Sequence, residues 1–381
     1  MEHSASVLVL VAHPDDETIG FSSVCAGADV VSVTDGRWGG RADARADGFQ
    51  QACELLGARR ALLLNLPDIF PWRLPSEVLV DRLRALGPYR RIYTHSPFEV
   101  HPHHRDVALA ASQCFEEIWV RSLGGYAAEA HVLDQDAYER KLDILNTIYR
   151  RELTLPEEDP QRWVAEMLDT VAGVEPFAPA RRTEVIQALA LTSPEIPADL
   201  PNAWAFEVSA YELERYNRTC QVLAQACQAP PPASILELGA CEGAMTRRLR
   251  HLFPSAHICA VESHPVLVRR LREHVCRDRR VNVVEASIRD IPLAADLIVM
   301  AEMLWYVPEP VTNVLSRLRG SYLLTSYRGT FDTCLRQSLQ AFGWRETISA
   351  EVLPRFEPVD GRDSLLIARR PGTQIRLWCP A

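Results

Sequence analysis

The sequence predicts an α/β protein of two doubly wound, Rossmann-like domains, each with a mainly parallel sheet flanked by helices, and three observations carry this. Short apolar runs alternate with amphipathic stretches, which is the pattern of βαβ units. The alternation breaks at a proline-rich stretch and restarts at Ser234. At 381 residues, 47% hydrophobic and 24% charged, with 18 glycines, the chain exceeds one ordinary core and has a globular composition.

Val7 to Val11 is a continuous apolar run ending abruptly in His13-Pro14-Asp15-Asp16-Glu17. A buried parallel strand whose C-terminal end opens on a polar site reads this way. Val30 to Thr34, Ala61 to Leu66 and Arg91 to Thr94 are further strands, with helical stretches Gly48 to Leu56 and Ser76 to Leu86 between them. His101 to Asp106 opens a helix carrying Val107 to Ala111, and Arg182 to Leu191 is helical. In TSPEIPADLPNAW, Pro194, Pro197 and Pro201 prevent regular structure, so 192–204 reads as a linker between domains 1–191 and 205–381. A helix from Ser209 to Cys227 stops at Pro230-Pro231-Pro232. Strand Ser234 to Leu238, helix Met245 to Leu252 and strand His257 to Val261 follow, and Leu267, Leu271 and Val275 give the next helix its apolar stripe.

The net charge of -9 argues against nucleic-acid binding through a broad basic surface. Lys141 is the only lysine; compositional bias explains so arginine-rich a chain better than phosphate recognition does. Ten cysteines without a C-x-x-C pair read as reduced thiols. The start lacks a basic n-region, and Glu302 interrupts the apolar stretch Leu297 to Val307, so a cytoplasmic protein with no membrane partner is expected.

A metal that activates water for amide hydrolysis needs a few nitrogen or oxygen ligands on rigid elements and one open position. The AHPDDE turn sets His13 and Asp16 just past a strand end, and His104 of HPHHRD completes two histidines and a carboxylate. Capping of a helix by aspartate is the bland alternative for the first motif, and iron(II) suits the same ligands. His3, His95 and His131 stand alone in the sequence and read as structural.

Residues 5 to 185 resemble the PIG-L (LmbE-like) deacetylases, which carry A-H-P-D-D-E and H-x-x-H motifs in this order. The resemblance implies Zn2+ on His13, Asp16 and His104, Asp15 as general base, and His101 polarising the acyl oxygen. Physically, Asp15 is free to face water beside the metal, and a protonated His101 would stabilise the oxyanion. Arg45 and Asp68 stand where the family contacts a sugar-like substrate, against surface ion pairs as the alternative. His103 and Gly48 depart from the aspartate and glutamate often found at those positions.

In the second half, Glu237-Leu238-Gly239-Ala240-Cys241-Glu242-Gly243 follows a strand and precedes a helix, and its glycines permit close approach of a ligand. It matches neither G-x-G-x-x-G nor a phosphate loop. Glu262 closes the next strand, where a carboxylate accepts ribose hydroxyls. Residues 205 to 370 resemble class I S-adenosylmethionine (SAM) dependent methyltransferases. That implies Glu237, Gly239 and Gly243 at the methionine end, Glu262 on ribose, Ser287 and Ile288 near adenine, and Glu302 beginning the acceptor-side loop. Ser287 departs from the aspartate common there. WAFEVSAYELERY and MAEMLWYV look like the NodS-type N-methyltransferases; Tyr211 and Tyr216 are candidate cofactor contacts and Tyr306 a candidate substrate contact, each against a core role.

The two chemistries connect, because removing an N-acetyl group creates the amine that a methyltransferase takes. The expected substrate is a small N-acetylated aminosugar or glycoconjugate. A non-sugar amide, O-methylation, and a scaffold with one inactive domain remain alternatives, and the oligomeric state is open.

Overall fold

The computed structural model describes residues 7–37, 42–69, 72–122, 126–149, 173–192, 198, 200–227, 230–276, 278–307 and 309–381. Pro194 and Pro197 of the expected linker lie outside the described residues. The chain divides into two compact units, Met1–Thr192 with Ser364–Leu366, and Ser193–Asp363 with Ile367–Ala381.

The first unit is built on seven strands: β1 (Val7–Val11), β2 (Asp29–Thr34), β3 (Arg60–Leu66), β4 (Arg91–Thr94), β5 (Glu117–Arg121), β6 (Glu129–Val132) and β7 (Val174–Arg181). They lie in the order β3-β2-β1-β4-β5-β7-β6. The strands from β3 to β5 are parallel, whereas β7 runs antiparallel to both of its neighbours. Helices cover both faces of such a sheet, which is why β1 and β2 are buried without alternation. Phe21, Val30, Phe49, Ile144 and Phe177 are among the residues filling one core.

Lys141, the sole lysine, is buried in that unit with Glu175, its Nζ donating to Oε1 at 2.6 Å. Ser22 and Ser23 donate to the same carboxylate. The pair is fully removed from water, so it is a structural tie rather than a solvated cation.

The second unit repeats the architecture with β8 (Ser234–Leu238), β9 (His257–Glu262), β10 (Val281–Glu285), β11 (Leu297–Ala301), β12 (Tyr322–Arg328), β13 (Trp344–Val352) and, after the hairpin of β14 (Arg355–Pro358) and β15 (Ile367–Arg370), β16 (Thr373–Pro380). The order is β10-β9-β8-β11-β12-β16-β13, with β16 antiparallel to β12 and β13. Both sheets reverse direction beside their first strand, and crevices at the carboxyl ends of strands there are where such folds bind ligands. No cysteine is disulfide-bonded. Among the described residues no helix is long and apolar enough to cross a membrane.

Candidate active sites

In the first unit β1 and β4 are paired with Leu10 opposite Thr94, so both strands deliver their following residues to one crevice. The helix Pro102–Cys114 enters from the side, with His101 at its N-cap and proline in its first turn. There His13 Nδ1 lies 3.3 Å from Asp16 Oδ2, His104 Nε2 lies 3.5 Å from Asp16 Oδ1, and the two histidine nitrogens are 3.3 Å apart. Donors held about 2.0–2.1 Å from a tetrahedral metal stand roughly 3.3–3.4 Å from each other. The three side chains therefore fit a small divalent ion of the zinc class. Three overlapping triads also converge, His13 with His101 and His104, His13 with Asp68 and His103, and Asp16 with His95 and His104, the donor atoms within 4.8 Å in each.

The surrounding charges favour a cation. Burial works against ionised His104, yet Asp16 and Glu99 outweigh it and carry its pKa to about 10. Burial likewise opposes the Asp16 carboxylate, but His104 and His95 hold its pKa well below the ordinary range. His104 Nδ1 is hydrogen-bonded to Glu99, which orients the ring as a second carboxylate does behind a metal-binding histidine.

Asp15 occupies a backbone conformation with φ 124° and is almost fully buried. Such strain persists only where the surroundings hold it. Arg45 donates to Asp15 Oδ2 at 2.8 Å and also to the Pro14 carbonyl. From the other side, Glu17 accepts the Asp15 N–H at 2.9 Å, and Thr18 and Tyr149 hydroxyls fix Glu17 at 2.6 Å each. Burial pushes the Asp15 pKa up to about 7, against the pull of Arg45.

A chain of hydrogen bonds sets the tautomer of His13. His103 Nε2 is 3.0 Å from the Trp72 carbonyl, which only accepts, so this nitrogen carries a proton. In a neutral ring that leaves His103 Nδ1 to accept from His13 Nε2, 3.0 Å away. His13 Nδ1 is then bare toward Asp16 and His104.

In the second unit the loop after β8 packs against Met303, just past β11. Gly239 has φ 71°, and a Cβ there would lie 2.6 Å from Met303 Cβ; at Gly243, φ 86°, it would lie 2.7 Å from Leu271 Cδ1. Only glycine fits both turns. Glu237 is buried and accepts from the Thr246 hydroxyl at 2.6 Å, and burial lifts its pKa to about 8. Glu262 accepts backbone N–H groups from Cys241, Ser263 and His264 at 2.8–2.9 Å, which fixes its carboxylate at the end of β9. Glu302, just past β11, has φ 52°. Its Oε2 accepts from Trp305 Nε1 at 3.0 Å, while its Oε1 is buried without a hydrogen-bond partner.

Residues 8–115 match the family model described as PIG-L: GlcNAc-PI de-N-acetylase, and residues 235–321 match one described as Methyltransferase domain. The chain joins a PIG-L deacetylase domain to a methyltransferase domain.

Solved structures similar to the chain include the N-methyltransferase NodS of Bradyrhizobium japonicum WM9 with S-adenosyl-L-homocysteine, at 18% identity and TM-score 0.38, covering 50% of this chain and 98% of that one. Another is the N,N'-diacetylchitobiose deacetylase of Pyrococcus horikoshii, at 20% identity and TM-score 0.38, covering 47% and 84%. A carboxy-S-adenosyl-L-methionine synthase of Dichelobacter nodosus is 36% identical over 85 residues, 21% of this chain and 36% of that protein. The chain thus spans about a third of the length of this curated relative.

Several side chains of the PIG-L domain stand differently from expectation. His101, expected as an imidazolium, is pushed down to about pH 3 by burial and by His13, His104 and His103, so it is neutral at pH 7. Its Nδ1 accepts the His103 N–H, leaving Nε2 to donate. The terminal nitrogens of Arg45 are committed to Asp15 and to carbonyls of Pro14 and Gly36 rather than presented to a substrate. Asp68 is buried with Oδ1 3.6 Å from His103 Nδ1. His95, read as solitary, accepts the Ala12 N–H, stacks on His104 at 3.9 Å and lies 3.3 Å from Asp16.

The methyltransferase domain differs in similar ways. Tyr211 bonds through its hydroxyl to Thr373, and Tyr216 packs between the guanidinium groups of Arg215 and Arg248, 4.6 and 4.3 Å from its ring centre. Both belong to the core against the sheet rather than to an open pocket. Ser287 caps its own 3-10 turn by accepting the Arg289 N–H, and Ile288 is in the core. Tyr306 is the more exposed aromatic, at 36%.

Proposed function

We propose that this enzyme hydrolyses the N-acetyl group of a small aminosugar-containing molecule or glycoconjugate and then methylates the nitrogen it has freed. The observation that carries the first half is the convergence of His13, Asp16 and His104 beside a buried, clamped Asp15. These three residues would hold a zinc ion. Such an ion supplies Lewis acidity and lowers the pKa of water. Asp15, with a pKa near neutrality, takes the proton of the attacking water and returns it to the departing amine. His101 donates from Nε2 to the acyl oxygen as negative charge develops there.

For the second half, Gly239 and Gly243 let the backbone approach SAM, Glu237 lies at its methionine end and Glu262 at its ribose. SAM supplies a methyl group on a positively charged sulfur. Positioning of a neutral amine in line with that methyl is the main demand on the protein. The family model on residues 8–115 carries de-N-acetylation of an aminosugar lipid in its description, which supports the substrate class.

The test is incubation of the full chain with zinc, methyl-labelled SAM and N-acetylglucosamine-type substrates. Label on nitrogen only after acetate release is the expected result. Alkali-labile label, or label independent of deacetylation, would overturn the coupled reading in favour of O-methylation or a non-sugar acceptor.

A further inference from the structure

Around the end of β11 charged groups are gathered, Arg215 and Glu212 buried and Glu302 and Arg328 partly so, and one carboxylate oxygen of Glu302 lacks a hydrogen-bond partner. Glu302 Oε2 is satisfied by Trp305 and lies 3.8 Å from Arg328 Nε. Its Oε1 is buried with nothing to accept from, and the residue is held at φ 52°, a conformation that a non-glycine side chain adopts at a cost. The next residue, Met303, is the one that Gly239 of the cofactor loop packs against. Glu302 is therefore one residue away from the segment that closes over the cofactor loop.

Resting on the N-methylation reading, we infer that Glu302 receives the ammonium group of the acceptor on Oε1 and takes one proton from it, so that the nitrogen becomes a nucleophile. The balance is simple. The ammonium gives a proton to Oε1 and becomes an amine with a free pair. That pair forms the bond to the methyl carbon while the carbon–sulfur bond breaks and its electrons stay on sulfur. The product leaves as an N-methylammonium.

The groups facing Glu302 agree with this. From the helix Ala210–Ala226 come Arg215, Glu212 and Tyr211; from β12 come Arg328 and Tyr327; from its own segment come Trp305 and Tyr306. Arg215 is committed to Glu212, bonding it through two nitrogens at 2.7–2.9 Å, so its charge is already matched. Burial is the largest influence on Glu302 and raises its pKa to about 7, against Arg215 and Arg328. A carboxylate poised there exchanges a proton with an amine at neutral pH, which an ordinary exposed glutamate does poorly.

The experiment is calorimetric binding of D-glucosamine and of D-glucose to the full chain saturated with S-adenosyl-L-homocysteine, across pH 5.5 to 8.5. Glucosamine is expected to bind preferentially, more tightly as pH rises through the Glu302 titration. Glu302→Gln is expected to weaken glucosamine about tenfold or more, as loss of a charged hydrogen bond does, while leaving homocysteine-nucleoside binding unchanged. Should Glu302→Gln also lose that binding, Trp305→Phe decides. It removes one stabiliser of the ionised carboxylate and should move the pH midpoint upward, and an unmoved midpoint overturns the inference. If wild type prefers glucosamine and Glu302→Gln does so equally, Glu302 is excluded and N-methylation stands. If wild type does not distinguish glucosamine from glucose, the amine reading itself falls, and the inference with it.

Discussion

Arg45 and Asp15 form a buried ion pair at 2.8 Å, and the same guanidinium also holds the carbonyl of Pro14, so side chain and backbone of the strained turn are fixed by one residue. Arg45→Met should therefore slow amide hydrolysis about 10- to 100-fold. Arg45→Lys should restore little, because a single ammonium cannot reproduce a planar fork that reaches three acceptors. Acetate release under saturating zinc measures both.

His103 stands where a carboxylate was expected, and its two ring nitrogens link the Trp72 carbonyl to His13. His103→Ala should weaken zinc affinity about 10- to 100-fold, the usual loss when the partner behind a metal-binding histidine is removed. His103→Asp, which also accepts from His13 Nε2, should keep most of it. Competition against a chromogenic chelator reads the affinity without reference to catalysis.

Gly239→Ala forces a side chain to within 2.6 Å of Met303 Cβ at φ 71°. The expected cost is about 1–3 kcal/mol, and SAM binding should fall with it. Ligand-induced shifts in Tm compare the two proteins directly.

The Glu237 carboxyl carries its proton up to about pH 8 in the folded chain, whereas an ordinary glutamate loses it near 4.5. Since the folded pKa is the raised one, the folded state binds the extra proton between these values, and its stability declines as pH rises through that window. Glu237→Gln, neutral throughout, should thus gain on wild type progressively from about pH 4.5 to about 8. Chemical denaturation without SAM at pH 5 and 8.5 checks the sign; an unchanged gap would refute it.

The first strand and the fourth were legible in the sequence because each is a short apolar run cut off by a polar turn. The antiparallel strand β7 was not. It contains Pro176 and Pro179, residues that lack the N–H and so argue against a strand paired on both sides, although their carbonyls can still pair, as that of Pro176 does by accepting the Ser122 N–H. The C-terminal β13 and β16 have alternating burial, weaker as a signal than a continuous apolar run.

Among site residues, the two motifs named His13, Asp15, Asp16, His101 and His104, since each motif is local. His95 was missed because its proximity to Asp16 is created by the register of β1 on β4. The available signal was its place directly after β4, beside Ala12 after β1. Glu17 closes the first motif but its role depends on what lies beneath Asp15, and Glu99 has no distinguishing sequence context, its role depending on what lies behind His104.

With its only lysine sealed against Glu175, the folded chain offers amine-directed reagents no side-chain target. Activated esters and aldehyde cross-linkers will reach a lysine side chain only when the first domain opens, so modification at Lys141 becomes a site-specific reporter of that opening.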